Sequence, residues 1–116
     1  MITNSARLVL AGMCRALESF QVGSSVDPLD RVVGEFAGPL DALVGQMDGE
    51  WLEELRSAWW SLEYVNAIVL GGGRSVFDDS ERATVVSARK EMLALLVEVM
   101  AVPDDYSANR SLPRLQ

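Results

Sequence analysis

Apolar residues recur at three- and four-residue intervals along most of the chain, which is the spacing of one face of an α-helix. The stretches with this pattern run over residues 4–21, 28–47, 50–70 and from 78 or 79 to 101. No pair of short alternating stretches around a turn indicates a β-hairpin. The pattern therefore predicts an all-α fold, a single-domain bundle of four to five mostly antiparallel helices over residues 1–103, with an irregular tail at 104–116.

Several residues mark where these helices begin and end. Asp27 followed by Pro28 predicts that Asp27 is the N-cap and Pro28 the first helical residue. Proline has no amide hydrogen, but the amide at that position has no partner within the helix, so no hydrogen bond is lost. Asp78 and Glu81 have the spacing of a capping box. Gly38-Pro39 predicts two short helices or one sharply kinked helix in the second stretch, and 71–73 (Gly-Gly-Gly) predicts the end of the third.

The third helix has two distinct faces. One carries a regular apolar series, predicted to pack in the core: Leu52, Leu55, Trp59, Leu62 and Val69. Asn66 lies on the same face and predicts a buried polar group that needs a partner. The opposite face carries Trp60, Tyr64 and Ile68 beside Glu50, Glu53 and Ser57. Either this helix is central and packed on both sides, or the second face is an aromatic and acidic recognition surface.

The charge is unevenly distributed. Seventeen acidic against ten basic residues give a net charge of −7 and a pI near 4.4. Nine of the acids and only two of the bases, Arg31 and Arg56, lie between Asp27 and Glu63, so this segment carries the whole excess of seven. The acids either cap and solvate helices, or form a negative patch that steers a basic partner.

Composition argues against several classes of function. The chain has no histidine, the commonest general base and transition-metal ligand, and one cysteine, Cys14, which we expect in the core. We therefore predict a protein that is not an enzyme and has no metal and no cofactor. The acidic balance argues against nucleic-acid and membrane binding. Without a signal-peptide pattern or an apolar run of membrane-spanning length, the expected location is the cytoplasm.

Residues 55–67 (LRSAWWSLEYVNA), followed by a leucine and glycines, resemble the central helix of small all-α immunity proteins that accompany bacterial polymorphic and contact-dependent toxins. Members often show a Leu-Arg-x-x-Trp-x-x-Leu-Glu-x-x-x-Ala pattern in an acidic helical chain of about this length. The resemblance implies a cytoplasmic protein that binds its cognate toxin and blocks the active site of that toxin. Where the toxin is a nuclease, this active site is basic.

We therefore expect an acidic binding protein that neutralises a basic toxin. The residues expected to bind the partner are Asp48, Glu50, Glu53, Glu54, Ser57, Trp60 and Tyr64. Two alternatives remain open. One is a structural or regulatory homodimer joined through Trp60, Tyr64 and Ile68. The other is a secretion chaperone or adaptor that wraps an extended effector segment.

Overall fold

The structure, a computed structural model, describes residues 1–102. Its helices are α1 (Asn4–Ser19), α2 (Asp27–Ala42), α3 (Gly49–Gly71) and α4 (Asp79–Met100). Within these residues there is no β-strand, only two isolated bridges, Ile2 with Met47 and Ser25 with Val76. The predicted all-α class is confirmed, and four helices fit the expected range of four to five. The predicted tail at 104–116 lies outside the described residues.

Helix starts agree with the sequence at α4 and differ at α2. The predicted capping box is present, because Asp78 Oδ1 accepts from the Glu81 amide at 2.7 Å and Glu81 Oε1 accepts from the Asp78 amide at 2.9 Å. The prediction of Asp27 as N-cap is wrong. Asp27 is the first residue of α2, Val26 precedes it, and no side chain caps the helix. The Asp27 amide donates instead to Ser25 Oγ at 3.2 Å.

The ends of α2 and α3 are made by local turns. Helix α2 continues through Pro39 and ends at Ala42, so the alternative of two short helices is wrong, and so is the extent to residue 47. Gly73 has a φ of 72°, the left-handed geometry predicted at the end of α3. The amide of Arg74 reaches back to the Val69 carbonyl at 3.0 Å and closes this end.

Backbone contacts place opposite helix ends side by side. The amide of Thr3, before α1, donates to the Gln46 carbonyl after α2 at 2.9 Å. The amide of Val26, before α2, donates to the Ser75 carbonyl after α3 at 2.9 Å. Helix α3 packs against both α2 and α4, and α1 packs against the same two helices. The second and third helices therefore form one side of the molecule, next to each other in space as in sequence.

One hydrophobic core lies between the helices. Its fully buried members include Leu17 of α1, Phe36 of α2, Leu62 of α3 and Leu96 of α4. Fully burying such a side chain contributes roughly 1.5–3 kcal/mol to the free energy of folding, relative to leaving it exposed to water. Cys14 is buried with them, as expected, and burial raises the pKa of its thiol, with the nearby Glu18 carboxylate acting in the same direction.

Candidate functional site

The outer face of α3 is exposed. Trp60 and Tyr64 keep 59% and 60% of their surface, and Ile68, one turn further on, keeps 43%. Glu53 and Ser57 precede them on the same side of the helix and are also exposed. We call Glu53, Ser57, Trp60 and Tyr64 the acidic–aromatic face. The alternative in which α3 is a central helix that also buries its Trp60, Tyr64 and Ile68 face within the chain is therefore wrong.

The face points outward because the opposite side of α3 fills the core. Successive helical residues turn by about 100°, so Leu55, Leu62 and Val69 lie together, roughly opposite Trp60 and Tyr64. All three are fully buried. The core therefore fixes the rotation of α3, and a rotation that buried Trp60 would expose these aliphatic side chains to water.

Trp59 holds this part of α3 against α2. Its indole N–H donates to the Val33 carbonyl of α2 at 3.1 Å, and its side chain is only partly exposed. The ring centroids of Trp59 and Trp60 lie 6.0 Å apart, with the ring planes tilted by 41°. The anchored ring of Trp59 thus supports the exposed ring of Trp60. This contact reduces the conformational entropy that the Trp60 side chain would lose on binding.

Helix α2 contributes an acid to the same region. A groove of about 530 Å³ between α2 and α3 is lined by Asp41 from α2 and by Glu53, Ser57 and Trp60 from α3. Asp41 was not among the residues expected to bind the partner. The available signal was its place within the acidic segment, but its approach to Glu53 depends on how the two helices pack.

Two of the other expected acids, Asp48 and Glu54, lie away from this face. Asp48 Oδ2 pairs with the amino group of Met1 at 2.8 Å, and its side chain is mostly buried, so it does not join the face. Glu54 is exposed but about 100° around α3 from Glu53. It is on the flank that carries Ser61, which lines a groove against α4. Glu50 is exposed in the first turn of α3, before Glu53.

A buried amide connects α3 to the acidic side of α2. Asn66 keeps only 4% of its surface, and its side-chain nitrogen donates to Asp30 Oδ1 at 3.0 Å. The predicted need of Asn66 for a partner is therefore met in part. One acid of the 27–63 segment pairs with the side-chain nitrogen, while the buried Oδ1 has no hydrogen-bond partner among residues 1–102. Asp30 itself is exposed, yet part of its carboxylate serves the fold.

Three arginines outside the acidic segment donate to backbone carbonyls near the ends of α1 and α4. Arg89 of α4 donates to the Leu17, Glu18 and Phe20 carbonyls. Arg82 donates to carbonyls at 22–23, and Arg7 of α1 donates to the Met100 and Val102 carbonyls. These guanidinium groups satisfy carbonyls that helices leave without intrahelical partners, or that follow their last turn.

The acids beside Trp60 are little neutralised by residues 1–102. Among residues 1–102, no Arg or Lys nitrogen lies within 4.0 Å of the Glu53 or Glu54 carboxylates. Arg56 approaches Asp41 at 3.8 Å, with both side chains largely exposed, which makes the pair weak. Part of the charge surplus of the 27–63 segment, on Asp41 and Glu53, thus lies at the surface beside the exposed Trp60.

Among residues 1–102, no group of three or more Asp, Glu or Cys side chains is arranged to hold a metal ion. None of the four helices combines the length and the apolar content needed to span a bilayer. No family model matches the sequence, and no curated protein or solved structure is significantly similar to it.

Proposed function

We propose that this chain acts by binding and not by catalysis, and that its partner is a basic protein that docks on the acidic–aromatic face. The observation that carries the proposal is the exposed pair Trp60 and Tyr64 beside the Asp41 and Glu53 carboxylates, which have no strong cation partner among residues 1–102. Large aromatic side chains supply binding energy at little entropic cost, and a negative field accelerates the approach of a positive partner.

The scaffold of this proposal is the antiparallel four-helix bundle expected from the sequence. The contacts between opposite helix ends support it. In this arrangement α2 and α3 form one continuous side, so that acids from both helices act on the same partner.

The more specific form of the proposal is an immunity protein that neutralises a bacterial toxin in the cytoplasm. It rests on the resemblance of residues 55–67 to the central helix of such proteins. The acids of α2 and α3 would cover the basic active site of the toxin, as phosphate groups do in a nuclease substrate. Trp60 and Tyr64 would anchor the contact.

The test uses the protein encoded next to this chain as the candidate partner, with association measured by stopped flow at increasing salt. We expect the association rate to fall tenfold or more between low and high ionic strength, because screening weakens steering. Charge reversal by Glu53→Lys and Glu54→Lys should slow association further. Glu91→Lys on α4 makes the same change outside the acidic segment and should have a smaller effect. Salt-independent binding, or binding that survives the reversal unchanged, would contradict the proposal.

A second candidate function follows from the same exposed residues. Trp60, Tyr64 and Ile68 form an apolar line along α3 that a second copy of the chain would cover in a homodimer. Sedimentation of the wild type and Trp60→Ala distinguishes the two. A dimer that dissociates in the variant favours this reading, and a wild-type monomer removes it. The secretion-chaperone alternative predicts instead that an extended peptide competes for the face.

A further inference from the structure

The groove between α2 and α3 combines three features in one place. It has a carboxylate on each wall, Asp41 from α2 and Glu53 from α3. Trp59 and Trp60 supply indole surface, and Trp60 is more than half exposed. Its volume of about 530 Å³ is ample for one long side chain. A positively charged planar group on a long side chain matches the carboxylates by its charge, the indole surface by its shape and the groove by its size.

We infer that this groove receives an arginine side chain of the partner, a step that rests on the proposed function and specifies its anchor. A guanidinium group stacks on an indole ring and donates to carboxylates at its edge in the same pose. A lysine ammonium has no flat face and holds its water more strongly. The groove should therefore prefer arginine to lysine at equal charge.

The chain places its own arginine at the same position. Arg56 lines the groove, and its guanidinium nitrogen lies 3.8 Å from Asp41 Oδ1. The distance is long, and the two side chains keep 47% and 87% of their surface, so the pair is readily displaced. Arg56 thus acts as a weak internal competitor for the incoming guanidinium.

This competition gives a prediction of opposite sign for two neighbouring variants. Glu53→Gln removes an attractive carboxylate and should weaken binding of a guanidinium probe about threefold. Arg56→Gln removes the competitor while keeping most of the aliphatic stem, and should strengthen binding about twofold. A residue that only maintained the fold would not improve binding when substituted.

The experiment is an NMR titration of the full chain with two capped tripeptides, acetyl-Gly-Arg-Gly-amide and acetyl-Gly-Lys-Gly-amide, at low ionic strength. We expect the arginine peptide to shift the indole N–H resonance of Trp60 and to bind about threefold more tightly than the lysine peptide. Trp60→Leu, at an exposed position, should abolish that preference. Glu91→Gln, an acid removed from α4, should leave the arginine affinity within the error of the wild type.

Each result decides the inference. An unperturbed Trp60 indole, equal affinity for the two peptides, or unchanged or weaker binding in Arg56→Gln would each overturn the arginine anchor. The proposed function has its own separate test. If the partner binds with strong salt dependence and Trp60→Leu does not change its affinity, the proposed function is supported and the arginine anchor is contradicted. If the partner binds without salt dependence, the proposed function is contradicted, independently of the peptide results.

Discussion

The helix C-termini are capped differently on the two sides of the molecule. On one side, an arginine of each helix donates to backbone carbonyls near the end of the other helix. Arg89 of α4 donates at the end of α1, and Arg7 of α1 donates at the end of α4. On the other side, α2 and α3 end in backbone turns with a left-handed glycine, Gly45 after α2 and Gly73 after α3.

This difference parallels the uneven distribution of the net charge. Turns made of backbone need no cation, so α2 and α3 complete their ends without arginine, and most of their acids have no strong basic partner in residues 1–102. Helices α1 and α4 use Arg7, Arg82 and Arg89 to satisfy carbonyls near helix ends. Charged side chains that stabilise helix ends and charged side chains without a strong partner therefore lie mainly on opposite sides of the molecule. Removing charges from each side tests this contrast.

The largest effect is expected on the arginine side. Arg89→Met keeps the aliphatic stem but leaves three carbonyls near the end of α1 without their charged donor. Hydrogen bonds to a charged group are worth more than neutral ones, so we expect a loss of roughly 2 kcal/mol in the free energy of unfolding. Urea denaturation measures it. Lys90→Met, at the exposed neighbouring position, is the matched control and should change stability by less than about 0.5 kcal/mol. Equal effects of the two variants would break the contrast.

The second prediction concerns Asp30, an acid of α2 that accepts a hydrogen bond from a buried amide. Asp30→Ala removes the acceptor of the buried Asn66 amide and should cost about 1 kcal/mol, since the amide nitrogen is left without a partner. Replacing both groups, in Asp30→Ala with Asn66→Leu, should recover part of the loss. Urea denaturation of the four members of this cycle gives the coupling energy. A coupling energy near zero would show that Asp30 belongs with the other surface acids.

A smaller effect is expected from the ion pair that joins the turn after α3 to the first turn of α4. Arg74 donates two hydrogen bonds to Glu81, at 2.8 and 2.7 Å, and with the Asp78 amide lowers the pKa of Glu81 from 4.5 to about 2. A lowered carboxyl pKa stabilises the fold above pH 4.5, and this contribution is lost as the pH falls from 4.5 towards 2. Unfolding free energies near pH 5.5 and pH 2.5 should therefore differ less in Arg74→Gln than in the wild type. The same pH dependence in both would contradict the assignment.

The sequence was most informative where local chemistry decides the structure. The capping box at Asp78 and Glu81, the glycine end of α3 and the burial of Leu55 and Leu62 depend on residues close in the chain, and they were predicted. The bonds of Arg89 to the end of α1 were not, because their donors and acceptors are about seventy residues apart. The side of α2 that carries Asp41 meets Glu53 only through packing, for the same reason.

The smallest effect on stability, and the one that most sharpens the contrast, is expected on the acidic side. Glu53→Gln and Glu54→Gln remove charges that have no basic partner within 4.0 Å among residues 1–102. We expect each to change the unfolding free energy by less than about 0.5 kcal/mol, with any change a gain, because it relieves repulsion between like charges. Urea denaturation at low and high salt separates the two contributions, since a gain due to repulsion shrinks when the charges are screened. A loss above about 1 kcal/mol in either variant would mean that these acids hold the fold together, and the division between a stabilising side and a binding side would fail.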